Sequence, residues 1–307
     1  MSEKKLDMSV RLCGVKIKNP IIPASGTFGY GHELSNFYDI SRLGAVSAKG
    51  ITPQPRIGNP PVRIVETPSG ILNSVGLQNP GIDEFLKTEL PWLLSKNAVV
   101  MANISGNTVD EYCQMVEKLD KTGITFIEVN VSCPNVHGGG KVFAATPEGV
   151  YEVTKAVRAM THRPVLIKLS PNVADITEVA LAAQQGGADG ISLINTLTGM
   201  AIDVKTRKPV LANVTGGLSG PAVRPVALRM CYQAAQAVKI PVVGMGGIMS
   251  GEDAVMFLLA GCTAVQVGTA NLVDPMACIR ILEELEQYMI DNGITKVTDL
   301  IGALITE

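Results

Sequence analysis

Eight short apolar runs recur along the chain, at residues 21–26, 45–49, 98–103, 124–130, 165–168, 190–195, 241–244 and 263–268. Each is short and apolar enough to be a buried strand. They end in a polar residue or a glycine, the residue types a binding site draws on. A small hairpin around Gly14, over residues 12–18, is predicted ahead of the first run.

Helical periodicity fills the gaps. Residues 107–119 put Val109, Tyr112, Cys113, Val116 and Leu119 on one face, with Gly123 as a stop. Thr146, Pro147 and Glu148 supply a cap, a first-turn proline and an early acid for a helix ending near Met160. Further helices are expected over 175–185, 221–238, 251–259 and 274–292. The last buries Met276, Ile279, Leu282, Leu285 and Met289 and stops at Gly293. Strand–helix alternation eight times over predicts a closed parallel (β/α)8 (TIM) barrel, one domain over residues 1–307. Two connections, 51–79 and 196–220, are too long for simple turns and are expected as loops over the site.

Composition agrees with that class and narrows the function. A length of 307 residues suits one α/β barrel, and 46% hydrophobic residues can fill its core. A net charge of −2 argues against a general binder of nucleic acid or membrane surface. No apolar run reaches the ~18 residues of a membrane span, and the start is polar, without a signal-peptide core. The six cysteines are scattered, none in C-x-x-C spacing, which points to the reducing cytosol and away from an iron–sulfur cluster in this chain. The three histidines, His32, His137 and His162, show no metal-ligand spacing.

In such barrels chemistry sits at the C-terminal ends of the strands. Those ends supply Ser25, Lys49, Asn103, Asn130, Lys168, Asn195, Gly246, Gly247, Gly268 and Thr269. A single Asn or Gly there is more often a cap or a turn. Lysines are harder to dismiss, because lysine is almost never fully buried unless paired. Lys49 and Lys168 call for anions, from a ligand or from Glu128, the main carboxylate nearby. Glycines 244, 246 and 247 end the seventh strand and Gly268-Thr269 ends the eighth, where barrels commonly bind phosphate through backbone N–H groups.

The stretch 130–135, Asn-Val-Ser-Cys-Pro-Asn, follows the fourth strand and precedes three glycines. Strand alternation puts Glu128 and Asn130 on one side and Val129 on the other. A free cysteine is most often a buried filler. Cys133, flanked by amides and a glycine-rich loop, instead has the polar neighbours a working thiolate needs.

These residues resemble the dihydroorotate dehydrogenases of the soluble class 1, over essentially the whole chain. The matching motifs are Ile22-Pro23-Ala24-Ser25-Gly26, Asn73-Ser74-Val75-Gly76-Leu77-Gln78-Asn79, the 130–135 stretch, Lys168-Leu169-Ser170-Pro171, Ile194-Asn195-Thr196 and the paired glycine loops. Thr206-Arg207-Lys208-Pro209 and the run 215–222 look like the NAD-linked class 1B catalytic subunit rather than the fumarate-using class 1A. The resemblance implies FMN in the barrel mouth, its phosphate on Gly246, Gly247, Gly268 and Thr269. It implies a flavin lining of Ser25, Lys49, Gly50, Asn103, Asn130, Lys168, Ile194 and Gly220. Orotate would meet Lys49, Asn73, Ser74, Val75, Gly76, Leu77, Asn130, Asn135, Asn195 and Thr196. Cys133 would be the base that takes the C5 proton while the flavin takes the C6 hydride. It further implies a homodimer of this chain within a heterotetramer, whose other subunit carries FAD and a 2Fe–2S cluster.

Three rivals share parts of the pattern. A dihydropyrimidine dehydrogenase-like flavin barrel shows Pro-His where this chain has Pro134-Asn135. A flavin-free isomerase or aldolase barrel accounts for the lysines and glycine loops but not for the asparagines and the cysteine. A non-catalytic flavin binder has no need of Cys133 and Lys49.

Overall fold

The computed structural model describes residues 6–131 and 146–306. Its centre is a sheet of eight parallel strands: Ile21–Pro23, Val46–Ser47, Val100–Ile104, Phe126–Asn130, Val165–Lys168, Gly190–Leu193, Val242–Met245 and Ala264–Val267. Neighbours run in the order first, eighth, seventh, sixth, fifth, fourth, third, second, so the first and second strands meet at the seam. The Gly44 N–H donates to the Ile21 carbonyl there, at 2.9 Å, and closes the barrel. The hairpin Val10–Leu12 with Val15–Ile17 turns at Cys13–Gly14 and lies ahead of the first strand, as expected.

Parallel strands are covered by helices on one face and filled by side chains on the other, so they read as continuous apolar runs. That is why all eight were visible in the sequence. Helix starts follow their caps. Thr146 accepts from the Gly149 N–H at 3.2 Å and opens Pro147–Ala159. Ser250 and Asp253 form a reciprocal capping box ahead of Gly251–Leu259. The last helix starts later than expected, at Ala277, because Asp274 is spent on a turn and accepts from the Met276 N–H at 2.8 Å.

Two features depart from the expected pattern. A helical segment over residues 82–95 precedes the third strand, where none was foreseen. Pro91 hid it, since proline ordinarily breaks a helix interior. Here the five residues Phe85–Glu89 open into a wider π-turn just ahead of the proline, the kind of local adjustment that accommodates a missing N–H. The two long connections are also not mere loops. Ile64–Thr67 and Gly70–Asn73 from the first join Leu197–Met200 and Thr215–Ser219 from the second in a four-stranded antiparallel sheet. The glycines of Thr215–Ser219 have a packing reason. A side chain on Gly216 would meet Leu211 at 2.5 Å, and one on Gly217 would collide with the Thr196 hydroxyl.

The seam gives a direct test. A Cβ on Gly44 would collide with the Asn19 carbonyl oxygen. Gly44→Ala is expected to lower the unfolding free energy by about 1–3 kcal/mol, read from the urea midpoint. An unchanged midpoint would remove Gly44 from the closure.

Candidate active site

Inward-facing positions of six strands converge on one carboxylate. Glu128 is fully buried. Its Oε2 accepts from Asn103 Nδ2 at 2.6 Å and Ser47 Oγ at 3.1 Å. Its Oε1 accepts from Ser192 Oγ and Gln266 Nε2, both at 2.7 Å. These donors come from the second, third, sixth and eighth strands, and Lys168 of the fifth adds a positive charge. Burial pushes the Glu128 carboxyl up, but Lys168 and the donors outweigh it and hold the group below its ordinary value.

The layer above carries the cations. Asn130 pairs in register with Lys168, and Lys168 with Ser192. Lys168 is only 6% exposed. Among the described residues, neither Lys49 nor Lys168 has a carboxylate within 4.0 Å, so Glu128 is not the ion-pair partner considered for them. Burial, then the charges of Lys168 and Arg63, push the Lys49 ammonium below its ordinary value. Two buried acceptors, Asn103 Oδ1 and Gln266 Oε1, have no hydrogen-bond partner among the described residues. A Cβ on Gly50 would lie 3.1 Å from Asn103 Oδ1, so that acceptor faces Gly50 at the mouth.

The antiparallel sheet brings the polar ends of both long connections together. Asn73 Nδ2 donates to the Gly217 carbonyl at 3.3 Å, and Gly217 lies against Thr196. The stretch after Asn73 is tied down from outside: Asn59 donates to the Val75 and Ser74 carbonyls at 2.9 and 2.8 Å. Gly76 and Leu77 both have positive φ, 78° and 54°. Ser74 Oγ is buried without a partner among the described residues. Asn195 Nδ2 reaches Asn130 Oδ1 at 3.4 Å, and Tyr112 donates to the Asn130 carbonyl at 2.9 Å. Asn73, Asn130, Asn195 and Thr196 therefore belong to one cluster at the mouth.

A second cluster gathers the glycines. A Cβ on Gly247 would stand 2.8 Å from the Gly220 carbonyl oxygen and 2.7 Å from Arg224 Cβ, and one on Gly246 would stand 2.6 Å from Ala227 and 3.3 Å from Ile194. Gly220 has φ 101°, and a Cβ there would lie 3.5 Å from Thr269. Thr269 donates to Ser219 Oγ at 2.9 Å. A Cβ on Gly268 would make only ordinary contact, with Ala24, the neighbour of buried Ser25, at 3.7 Å. Glycine is required at 246 and 247 because the strand end packs directly against Arg224, Ala227 and the Gly220 carbonyl. Asp253 braces the cradle by pairing with Arg224 and accepting from the Met249 and Ser250 N–H groups at 2.8 and 3.2 Å.

Sequence reasoning missed Ser47, Ser192, Gln266, Arg63, Arg224 and Asp253. Only the inward register of the first three was a usable signal. Cys133 and Asn135, assigned from the sequence, lie outside the described residues, as does His137. A surface hollow lined by Val15, Asp120, Ile124, His162 and Arg163 lies at the opposite end of the barrel. Arg163 is spent there on the Asp120 and Ile124 carbonyls, at 3.2 and 2.5 Å. Among the described residues no group of three His, Cys, Asp or Glu is placed to hold a metal ion, and no helix is long and apolar enough to cross a membrane.

A (β/α)8 barrel with a cationic, amide-lined mouth and glycines at the ends of its last two strands is an architecture suited to small anionic molecules. Comparison with known proteins narrows the class. A profile described as dihydroorotate dehydrogenase matches residues 7–289, and the chain belongs to that family. Among curated relatives, the dihydroorotate dehydrogenase B (NAD(+)) catalytic subunit of Geobacter metallireducens is 57% identical over 98% of this chain and 99% of its own. That of Geotalea uraniireducens is 55% identical over the same shares. A crystal structure of a dihydroorotate dehydrogenase from Eimeria tenella in complex with ferulenol superposes with a TM-score of 0.82 at 22% identity, covering 98% of this chain and 89% of that one; it shares the fold.

The depressed Lys49 has a stability consequence. The folded chain holds that proton less firmly than the unfolded chain, so stability rises as pH rises from the depressed value toward the ordinary lysine value. Lys49→Met removes this cost. Without an added anion, the variant is expected to gain about 0.5–2 kcal/mol at neutral pH and to lose that alkaline rise. Urea unfolding across pH checks both, and a less stable variant would contradict the reading of Lys49 as an unpaired cation.

Proposed function

We propose that this chain oxidises dihydroorotate to orotate, a step of de novo pyrimidine (UMP) biosynthesis, as the catalytic subunit of an NAD-linked, cytoplasmic enzyme. The observation that carries this is a pair of lysines, Lys168 buried and Lys49 half-buried, without ion-pair partners among the described residues and beside an asparagine cluster, in a chain of this family. Orotate and dihydroorotate carry one carboxylate and a ring edge of alternating donors and acceptors. Lys49 supplies the charge. Asn73, Asn130, Asn135, Asn195 and Thr196, with the backbone from Ser74 to Leu77, supply the complementary hydrogen bonds.

FMN fits the residues present: glycine backbone at the ends of the last two strands, where N–H groups can reach a phosphate, a buried acceptor on Asn103 without a partner among the described residues, and Lys168 to balance negative charge. Its phosphate would lie on Gly246, Gly247, Gly268 and Thr269, and its ring against Ser25, Lys49, Gly50, Asn103, Asn130, Lys168, Ile194 and Gly220. When bound, FMN accepts the hydride that leaves C6. Cys133, as thiolate, takes the C5 proton, and the C5–C6 double bond forms. The mouth excludes water and holds the ring so that both bonds are presented at once.

The words catalytic subunit in the relatives' names favour a partner. We assign that partner FAD and a 2Fe–2S cluster and make NAD the final acceptor, with a homodimer of this chain at the core of a heterotetramer. Alone, this chain is expected to reduce artificial dyes but neither NAD nor fumarate. Adding the purified partner should switch on NAD reduction. Cys133→Ala should still bind orotate but lose about 10²–10⁴-fold in flavin reduction by dihydroorotate, and Cys133→Ser should recover part of the rate only at high pH. Rapid NAD or fumarate reduction by this chain alone would overturn the subclass, and an undiminished alanine variant would remove Cys133 as the base.

A further inference from the structure

An ionised carboxylate accepts hydrogen bonds and donates none. This settles the orientation of the amides beside it. Asn103 must turn its NH2 to Glu128 Oε2, at 2.6 Å, and Gln266 its NH2 to Oε1, at 2.7 Å. Their carbonyl oxygens are then forced to the far side, and both are buried without a partner among the described residues. Asn103 Oδ1 faces Gly50 at the mouth. The same carboxylate lies one strand from Lys168, close enough to act on it by charge yet with no contact within ion-pair distance.

We infer that Glu128 is a positioning residue for the flavin site: its charge holds Asn103 with an acceptor toward the mouth and offsets the positive potential of Lys168 and Lys49. This rests on the proposed binding of FMN. Glu128 reaches no ligand itself. It fixes which atom of Asn103 is offered and how much net positive charge the mouth presents to a reduced, anionic flavin ring. Charge in a low-dielectric interior is felt strongly at short range.

The test is the midpoint potential of the bound flavin, measured by equilibration with reference dyes in the absence of substrate. Glu128→Gln fills the same volume without the charge. It is expected to raise the potential by at least a tenfold change in the reduced-to-oxidised ratio, about 30 mV for a two-electron couple, and to release flavin more readily. Glu128→Asp keeps the charge and should shift the potential less than half as far, even where it costs more stability. Ser192→Ala removes one donor and keeps the charge, so it should lower the unfolding midpoint and leave the potential in place. Where Glu128→Gln fails to fold, the triple variant Glu128→Met, Gln266→Leu, Ser192→Ala supplies a neutral cavity, since apolar groups of like size commonly replace a buried charge cluster without loss of stability. Its potential should rise in the same way. An unmoved or lowered potential in the neutral variant, or an equal shift in Glu128→Asp, overturns the inference. A parent protein that binds no FMN would instead overturn the functional proposal, which keeps the two failures distinct.

Discussion

A full negative charge sits inside this barrel, and the strands are arranged around it. Isolated, an ionised carboxylate in a protein interior costs many kcal/mol, and it persists only when donors and a counter-charge surround it. Glu128 has four donors from four strands and a lysine on a fifth. No two neighbouring strands could satisfy it alone. The carboxylate therefore favours the closed barrel over any open sheet that leaves one of those strands out. It also makes the level above it, where the chain opens toward ligands, asymmetric in charge. Lys49, Lys168 and Arg63 face the mouth while the one nearby carboxylate is fully engaged below.

The second constraint comes from outside the barrel. Asn73 and Thr196 lie on different connections, more than a hundred residues apart in the chain. They meet because each connection contributes strands to one antiparallel sheet. Backbone ladders, rather than side-chain contacts, therefore set the spacing of the polar groups at the mouth, and sites held on such ladders are more precise than sites on free loops. The glycines between them serve that packing: Gly216 and Gly217 leave room for Leu211 and Thr196, and Gly220 and Gly70 let the two connections touch.

Much of the fold was legible because its signals are local. Eight buried strands announce themselves as apolar runs, and Thr146, Asp175 and Ser250 mark helix starts by side chains that do cap them. Lys49 and Lys168 stood out because lysine at the end of a buried strand is rare. The unseen parts depend on distance. Ser47, Ser192 and Gln266 look like ordinary small or polar interruptions of a strand until closure brings them within reach of Glu128. The extra sheet was masked by proline and glycine, although 64–67 and 70–73 flank a two-residue Pro68-Ser69 turn in the pattern of a hairpin. The helical segment at 82–95 was hidden by Pro91, whose effect is absorbed by a wider turn that no periodicity count anticipates. The chemistry assigned to Cys133 belongs to a stretch outside the described residues and stands on its sequence motif.

The most direct test of the account is an anaerobic titration of the purified chain with dihydroorotate, followed by flavin absorbance and by orotate formed. The account predicts a yellow protein that bleaches stoichiometrically, one orotate per flavin, with no second polypeptide present. A colourless protein that stays colourless after incubation with FMN, or a flavin that dithionite bleaches and dihydroorotate does not, would contradict it.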